Sequence, residues 1–136
     1  MSGFVPLPDP STRLPYLAGF FDGEGSIHIG RRGGLQVNCA QRDMVPLQLL
    51  AVRFGGRVMT QARGNKNPVS YWVIYGAAAA RALEALKPYL IVKRAQAEVA
   101  ITYQKTVGPR GYNRPLAPDV YALRAALRAE MDVLHA

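Results

Sequence analysis

The alternation of apolar and polar positions divides the chain into short, well-bounded elements. Residues 1–13 contain Pro6, Pro8 and Pro10 and read as an extended arm, because closely spaced prolines disfavour a helix. Ser11 or Thr12 can cap a helix whose first turn accepts Pro15. Tyr16-Leu17-Ala18-Gly19-Phe20-Phe21 is apolar nearly all round, which predicts a helix buried on more than one side. Gly23 and Gly25 end it. Residues 26–30 alternate, with Ile27 and Ile29 opposing Ser26, His28 and Gly30. After the turn Arg31-Arg32-Gly33-Gly34, a second strand sets Leu35, Val37 and Cys39 against Gln36, Asn38 and Ala40.

Asp43 is placed to cap a helix carrying Val45, Leu47, Leu50 and Phe54, closed by Gly55-Gly56. Residues 57–63 alternate again, with Arg57, Met59, Gln61 and Arg63 on the polar side. Beyond a turn over residues 64–68, β-branched and aromatic content predicts a strand over 69–75. Helices follow at 77–87, 92–105 and 119–134, with a glycine- and proline-rich loop over 107–118. The order α-β-β-α-β-β-α, with helical additions at the C-terminus, predicts an α+β domain over residues 14–136. In it a four-stranded antiparallel sheet carries helices on one face. The other face is polar and basic and meets either water or a ligand.

Composition narrows the choice. Seventeen basic residues against nine acidic ones give a net charge of +8, which favours a polyanionic partner. Between Ser26 and Tyr75 stand seven basic residues against Asp43 alone, so the excess concentrates on the strand-rich part. The single cysteine, Cys39, excludes an internal disulfide. No apolar run is long enough to span a bilayer, and the N-terminus lacks the character of a signal peptide. A soluble, intracellular protein without a membrane partner is expected, in the cytoplasm of a prokaryote or in an organelle.

The segment Leu17-Ala18-Gly19-Phe20-Phe21-Asp22-Gly23-Glu24-Gly25 resembles the LAGLIDADG signature over all nine positions. Leu, Ala, Gly, Asp and the final Gly match letter for letter; Phe20 and Phe21 keep the apolar character, and Gly23 and Glu24 replace Ala and Asp. The chain length and element order also resemble the single-motif homing endonucleases. The resemblance implies a DNA endonuclease that works as a homodimer and hydrolyses both strands of a long, near-palindromic double-stranded site. It further implies Mg²⁺ as cofactor, with Mn²⁺ or Ca²⁺ able to occupy the same sites.

Physical chemistry agrees with that use of the segment. Ala18 and Gly19 are small, so two copies of the helix can approach closely about a two-fold axis. Leu17, Ala18, Gly19, Phe21 and Asp22 are then the expected dimer interface. A helix C-terminus carries partial negative charge and unsatisfied carbonyls, and Glu24 beside the Gly23 carbonyl makes an all-oxygen site suited to a hard cation. The resemblance assigns metal binding to Gly23 and Glu24 and leaves Asp22 as a structural residue of the helix end. By position it also implies two catalytic partners: Gln41, orienting the attacking water, and Lys93, stabilising the developing charge.

For DNA reading, the alternation nominates Ser26, His28, Gly30 and Arg32 on the first strand and Gln36 and Asn38 on the second. Arg57, Met59, Gln61 and Arg63 follow on the third, and Ser70, Trp72 and Ile74 are expected outward on the fourth. Arg31, Arg32 and Lys66 at the turns would reach the ends of each half-site. Arginine to guanine and Gln or Asn to adenine are the expected direct contacts. Two other functions fit the same residues. One is an RNA-splicing maturase or non-cleaving DNA-binding regulator on the same fold; the other is a small basic RNA-binding or architectural protein in which the motif is coincidental.

Overall fold

The computed structural model describes residues 10–30, 34–63, 66–107 and 117–136, with side chains described over 13–30, 34–61, 68–107 and 117–136. Helix α1 (Pro10–Glu24) runs straight into strand β1 (Gly25–Ile29), and β2 (Leu35–Gln41), α2 (Met44–Phe54), β3 (Arg57–Arg63) and β4 (Lys66–Tyr75) follow. Helix α3 (Gly76–Leu86), a 3₁₀ turn (Lys87–Tyr89), α4 (Arg94–Lys105) and α5 (Pro118–His135) complete the chain. The order matches the patterning. Two boundaries move: β4 begins at Lys66, within the expected turn, and α1 begins at Pro10. Residues 10–13, expected in the arm, are therefore its first turn, and Pro15 lies inside the helix rather than at its start.

The four strands form one antiparallel sheet in the order β1-β2-β4-β3. One face carries Ile27, Leu35, Val37, Cys39, Trp72 and Ile74, all buried against α1, α2, α3 and α4 in a single core. Asp43 caps α2 as patterned, its carboxylate accepting from Val45 N at 3.0 Å. Two glycines are required by close approach. A Cβ on Gly25 would collide with the Phe21 ring, so only glycine lets the chain leave α1 directly for β1. Gly56 has φ +87°, and a Cβ there would stand 2.6 Å from the Val73 carbonyl oxygen.

The fourth strand corrects its expected orientation. Trp72 and Ser70, expected outward, are 0% and 3% exposed and face the helices, with Ile74 beside them. Register is the cause: Trp72 stands opposite Cys39 and Val58, and Ser70 opposite Gln41 and Thr60, which fixes both on the core side. Each buried polar atom finds a partner there. The indole N–H donates to the Gly55 carbonyl at 2.8 Å, and the Ser70 and Thr60 hydroxyls lie 2.9 Å apart. The open face instead receives Tyr71, Val73 and Tyr75. Both parities of this strand are apolar, so alternation carried no information about which way it turned.

Helix α5 crosses to the outer edge of the sheet. Arg124 donates to the Thr106 carbonyl and hydroxyl, both at 2.9 Å. Arg128 donates to the Tyr103 hydroxyl at 3.0 Å, and both guanidinium groups lie over the Tyr103 ring. At the far end of the helix, His135 Nε2 stands 2.9 Å from the Ile27 carbonyl, on the edge strand β1. Among the described residues, no helix is long and apolar enough to cross a membrane.

Candidate active site at the end of the first helix

The end of α1 is tied to the start of α4 by one side chain. The Asp22 carboxylate accepts from the backbone N–H groups of Ile91, Val92 and Lys93, at 3.0, 2.9 and 2.8 Å. Lys93 Nζ returns the connection by donating to the Asp22 carbonyl at 2.8 Å. Desolvation pushes the Asp22 carboxyl up, but the amides of Val92, Lys93 and Ile91 and the Lys93 charge outweigh it and hold it below the usual carboxylate range. Asp22 is therefore spent on structure, and it positions Lys93 at the mouth of the helix. Glu24, two residues on, projects from the last turn of α1 and is exposed, as is Gly23.

A third group points at the same place. Cys39 is the β2 partner of Gly25, and its thiol is within electrostatic reach of both Lys93 and Glu24. Burial pushes that thiol up to about 12, with Lys93 acting against and Glu24 with the shift, so it is neutral at physiological pH. Gln41 lies two residues farther along, opposite Ser70, and its Oε1 accepts from the Arg42 amide at 2.8 Å. Cys39 thus stands opposite Gly25, and the antiparallel register carries Gln41 on toward the last turn of α1.

The expected dimer interface separates into two groups. Leu17, Ala18 and Phe21 are buried within this chain's own core and offer no surface to a partner, which corrects that part of the assignment. The reason is helical geometry: these residues fall on the flank facing the sheet and α3, because the segment is apolar on nearly all sides. Gly19 and Gly23, four residues apart, lie on the outer flank with nothing near a Cβ at either position. Tyr16 is exposed on the same flank.

On the open face, register aligns Ser26, Asn38, Val73 and Arg57 in one row across all four strands. His28, Gln36 and Tyr75 form a second row, and Ala40, Tyr71 and Met59 a third. His28, Arg57, Met59 and Gln61 are exposed, Ser26, Gln36 and Asn38 half-buried, and Gly30 exposed at the strand end. Tyr71 donates its hydroxyl to Gln61 Oε1 at 3.0 Å. Arg31 and Arg32 lie outside the described residues, as do the side chains of Arg63 and Lys66.

Known structures with this arrangement share one architecture. The homing endonuclease I-CvuI, crystallised with its target in 2 mM Ca, matches with a TM-score of 0.67 at 26% identity, over 90% of this chain and 81% of that one. I-TnaI, also a homing endonuclease, matches with 0.62 at 18% identity, over 90% and 92%. This is the fold of the LAGLIDADG homing endonucleases. The LAGLIDADG enzyme I-SmaMI, bound to cleaved DNA, matches with 0.68 at 16% identity over 100% of this chain, which spans 48% of that longer one. No protein-family model and no curated protein matches the sequence. The LAGLIDADG segment here is the single copy at residues 17–25, with its sixth residue serving as a brace and its eighth standing free.

The donors at the end of α1 suit a hard divalent cation only as half of a site. Asp22 is engaged by three amides, which leaves the Glu24 carboxylate and the Gly23 carbonyl as the free donors there. Among the described residues, no group of three or more His, Cys, Asp or Glu is placed to hold a metal. A second acidic or phosphate oxygen has to come from elsewhere.

Proposed function

We propose that this chain is the protomer of a homodimeric homing endonuclease that cuts both strands of a long, near-palindromic double-stranded DNA site with the help of a divalent cation. The observation that carries the reading is the division of labour at the end of α1. One carboxylate, Asp22, is engaged in bonds to the start of α4, and the next, Glu24, is left exposed on a helix whose outer flank is bare.

Several features support a second copy on that flank. Gly19 and Gly23 leave room for close backbone approach. Beside the end of α1, the Asp22-held turn leaves Ile91 and Val92 86% and 73% exposed, an apolar patch that favours a partner. Two protomers joined there bring two Glu24 carboxylates and two Gly23 carbonyls together and complete the oxygen set that one chain lacks. Mg²⁺ held at these oxygens, or Mn²⁺ or Ca²⁺ in its place, supplies charge neutralisation and acidifies a water when DNA is bound.

The chain's own groups do the rest. The open sheet faces of the two protomers form one curved polar surface, on which Arg57, Gln61, Gln36 and Asn38 reach base edges in the major groove. Tyr71 and Tyr75 stand where Trp72 was expected. At the scissile phosphate, a water oxygen bonds to phosphorus, one ester P–O bond breaks, and the released strand end takes up a proton. Lys93, fixed by the Asp22 carbonyl, holds a positive charge beside the phosphate as its negative charge grows. Gln41, half-exposed at the end of β2, orients the attacking water, and the neutral Cys39 thiol stays buried in the core behind it.

The test is cleavage of a DNA library that includes the sequence flanking the protein's own reading frame, with Mg²⁺, by wild type and Glu24→Gln. Specific double-strand cutting by wild type alone, with binding retained by the variant, is expected. Sedimentation of the protein as a dimer is expected alongside. Binding without cutting by the wild type would assign a regulator or maturase instead, and cutting that survives E24Q would remove Glu24 from the site.

A further inference from the structure

Beside the site, the edge of β1 and the last turns of α5 enclose a groove made of two joined cavities, of about 190 and 340 Å³, which share His28 and His135 as lining. We infer that this groove seats a non-scissile phosphate of the DNA backbone. The inference rests on the endonuclease reading and extends it to a contact outside the sheet's open face.

The chemistry of the lining carries it. In the cavity nearer Glu24, which begins at Gly25, the polar side chains are Ser26, His28, Lys93, Gln96 and His135. Every one of them can donate a hydrogen bond, and there is no carboxylate among them. A lining in which every polar side chain can donate and none is a carboxylate fits an oxyanion and disfavours a cation.

The second cavity adds Arg128, whose Nε is buried with no hydrogen-bond partner. An orphaned guanidinium nitrogen beneath the groove is a cost that an anion would relieve. Asp132 also borders this cavity, but it is exposed and makes no ion pair with Arg128. The groove lies on the DNA's path, because His28 belongs to the open face of the sheet and also forms the groove's wall.

Histidine chemistry gives the site a signature. The Ile27 carbonyl can only accept, so His135 Nε2 carries a proton and donates to it. Nδ1 is then the nitrogen left for a phosphate, and it donates only when the ring is charged. The His28 and His135 ring centroids are 5.7 Å apart, so both rings border the same small space. The charged groups facing the pair are Lys93 from α4 and Arg128 and Asp132 from α5.

The experiment uses the full-length protein in Ca²⁺ and a duplex recovered from the cleavage library, with neutral methylphosphonate substituted one phosphate at a time. Wild type is expected to lose affinity about tenfold at one non-scissile position per half-site. In His135→Ala, the substitution at that position has no further effect. Gln96→Ala gives the same insensitivity at that phosphate without touching the α5 contact, and decides the matter should His135→Ala unfold. Wild-type interference patterns in both variants overturn the inference alone. Absence of any DNA binding by the wild type overturns the endonuclease reading as well.

Discussion

The junction of α1 with α4 and the open face of the sheet are built on opposite principles. At the junction Asp22 and Lys93 have fixed partners: Asp22 accepts three amides, and Lys93 Nζ donates to the Asp22 carbonyl. On the open face, Arg57, Met59 and His28 stand exposed, and Tyr71 to Gln61 is a side-chain contact between neighbouring strands there. The contrast teaches where rigidity is needed. Charge stabilisation at a reacting phosphate requires groups already in place, whereas base reading requires side chains whose bonding capacity is still unspent.

The sharpest way to break the comparison is Lys93→Met. It should lower the cleavage rate on the order of 10²–10³-fold, a much larger loss than the one in DNA affinity in Ca²⁺, as read by single-turnover cutting and fluorescence anisotropy. An equal loss in affinity would mean that Lys93 serves binding rather than the reaction. Arg57→Ala is the mirror case. Affinity should fall by about 1–3 kcal/mol with relaxed sequence choice, and the thermal midpoint should not move, since the side chain is exposed.

Asp22→Asn tests the brace itself. Losing an anionic acceptor for three amides at the start of α4 should cost about 1–2 kcal/mol of stability by urea denaturation. The pH dependence has a definite sign. The folded-state carboxyl lies below its ordinary value of 3.8, so its contribution is complete above that value and is lost as pH falls through the lower folded one. Wild type should therefore lose stability through that acid range more steeply than D22N; parallel curves would show that the carboxylate charge does not matter. The smallest effect is expected of Gln41→Ala, which removes a hydrogen bond to Arg42 and should slow cleavage by less than about tenfold. A loss as large as that of Lys93→Met would restore Gln41 to the centre of the site.

Much of this protein is determined by its sequence alone. Alternation over residues 26–41 and 57–63 defines three strands and their faces, Asp43 and Gly55-Gly56 bracket α2, and the nine residues from Leu17 to Gly25 mark the end of α1 as the candidate site. These are local signals, carried by spacing and by what a glycine or a capping carboxylate can do within one turn of chain. What the tertiary structure decided lies between elements distant in sequence. It turned Trp72 inward, because pairing with β2 fixed a strand whose two faces are equally apolar. It assigned Leu17, Ala18 and Phe21 to the core and Gly19 and Gly23 to the surface, because only packing tells which flank of an apolar helix is covered. It gave Asp22 three amides some seventy residues away, put Cys39 rather than Gln41 opposite Gly25, and brought His135 to His28. A contact across that much chain depends on register and helix placement together, and no periodicity within one element records it.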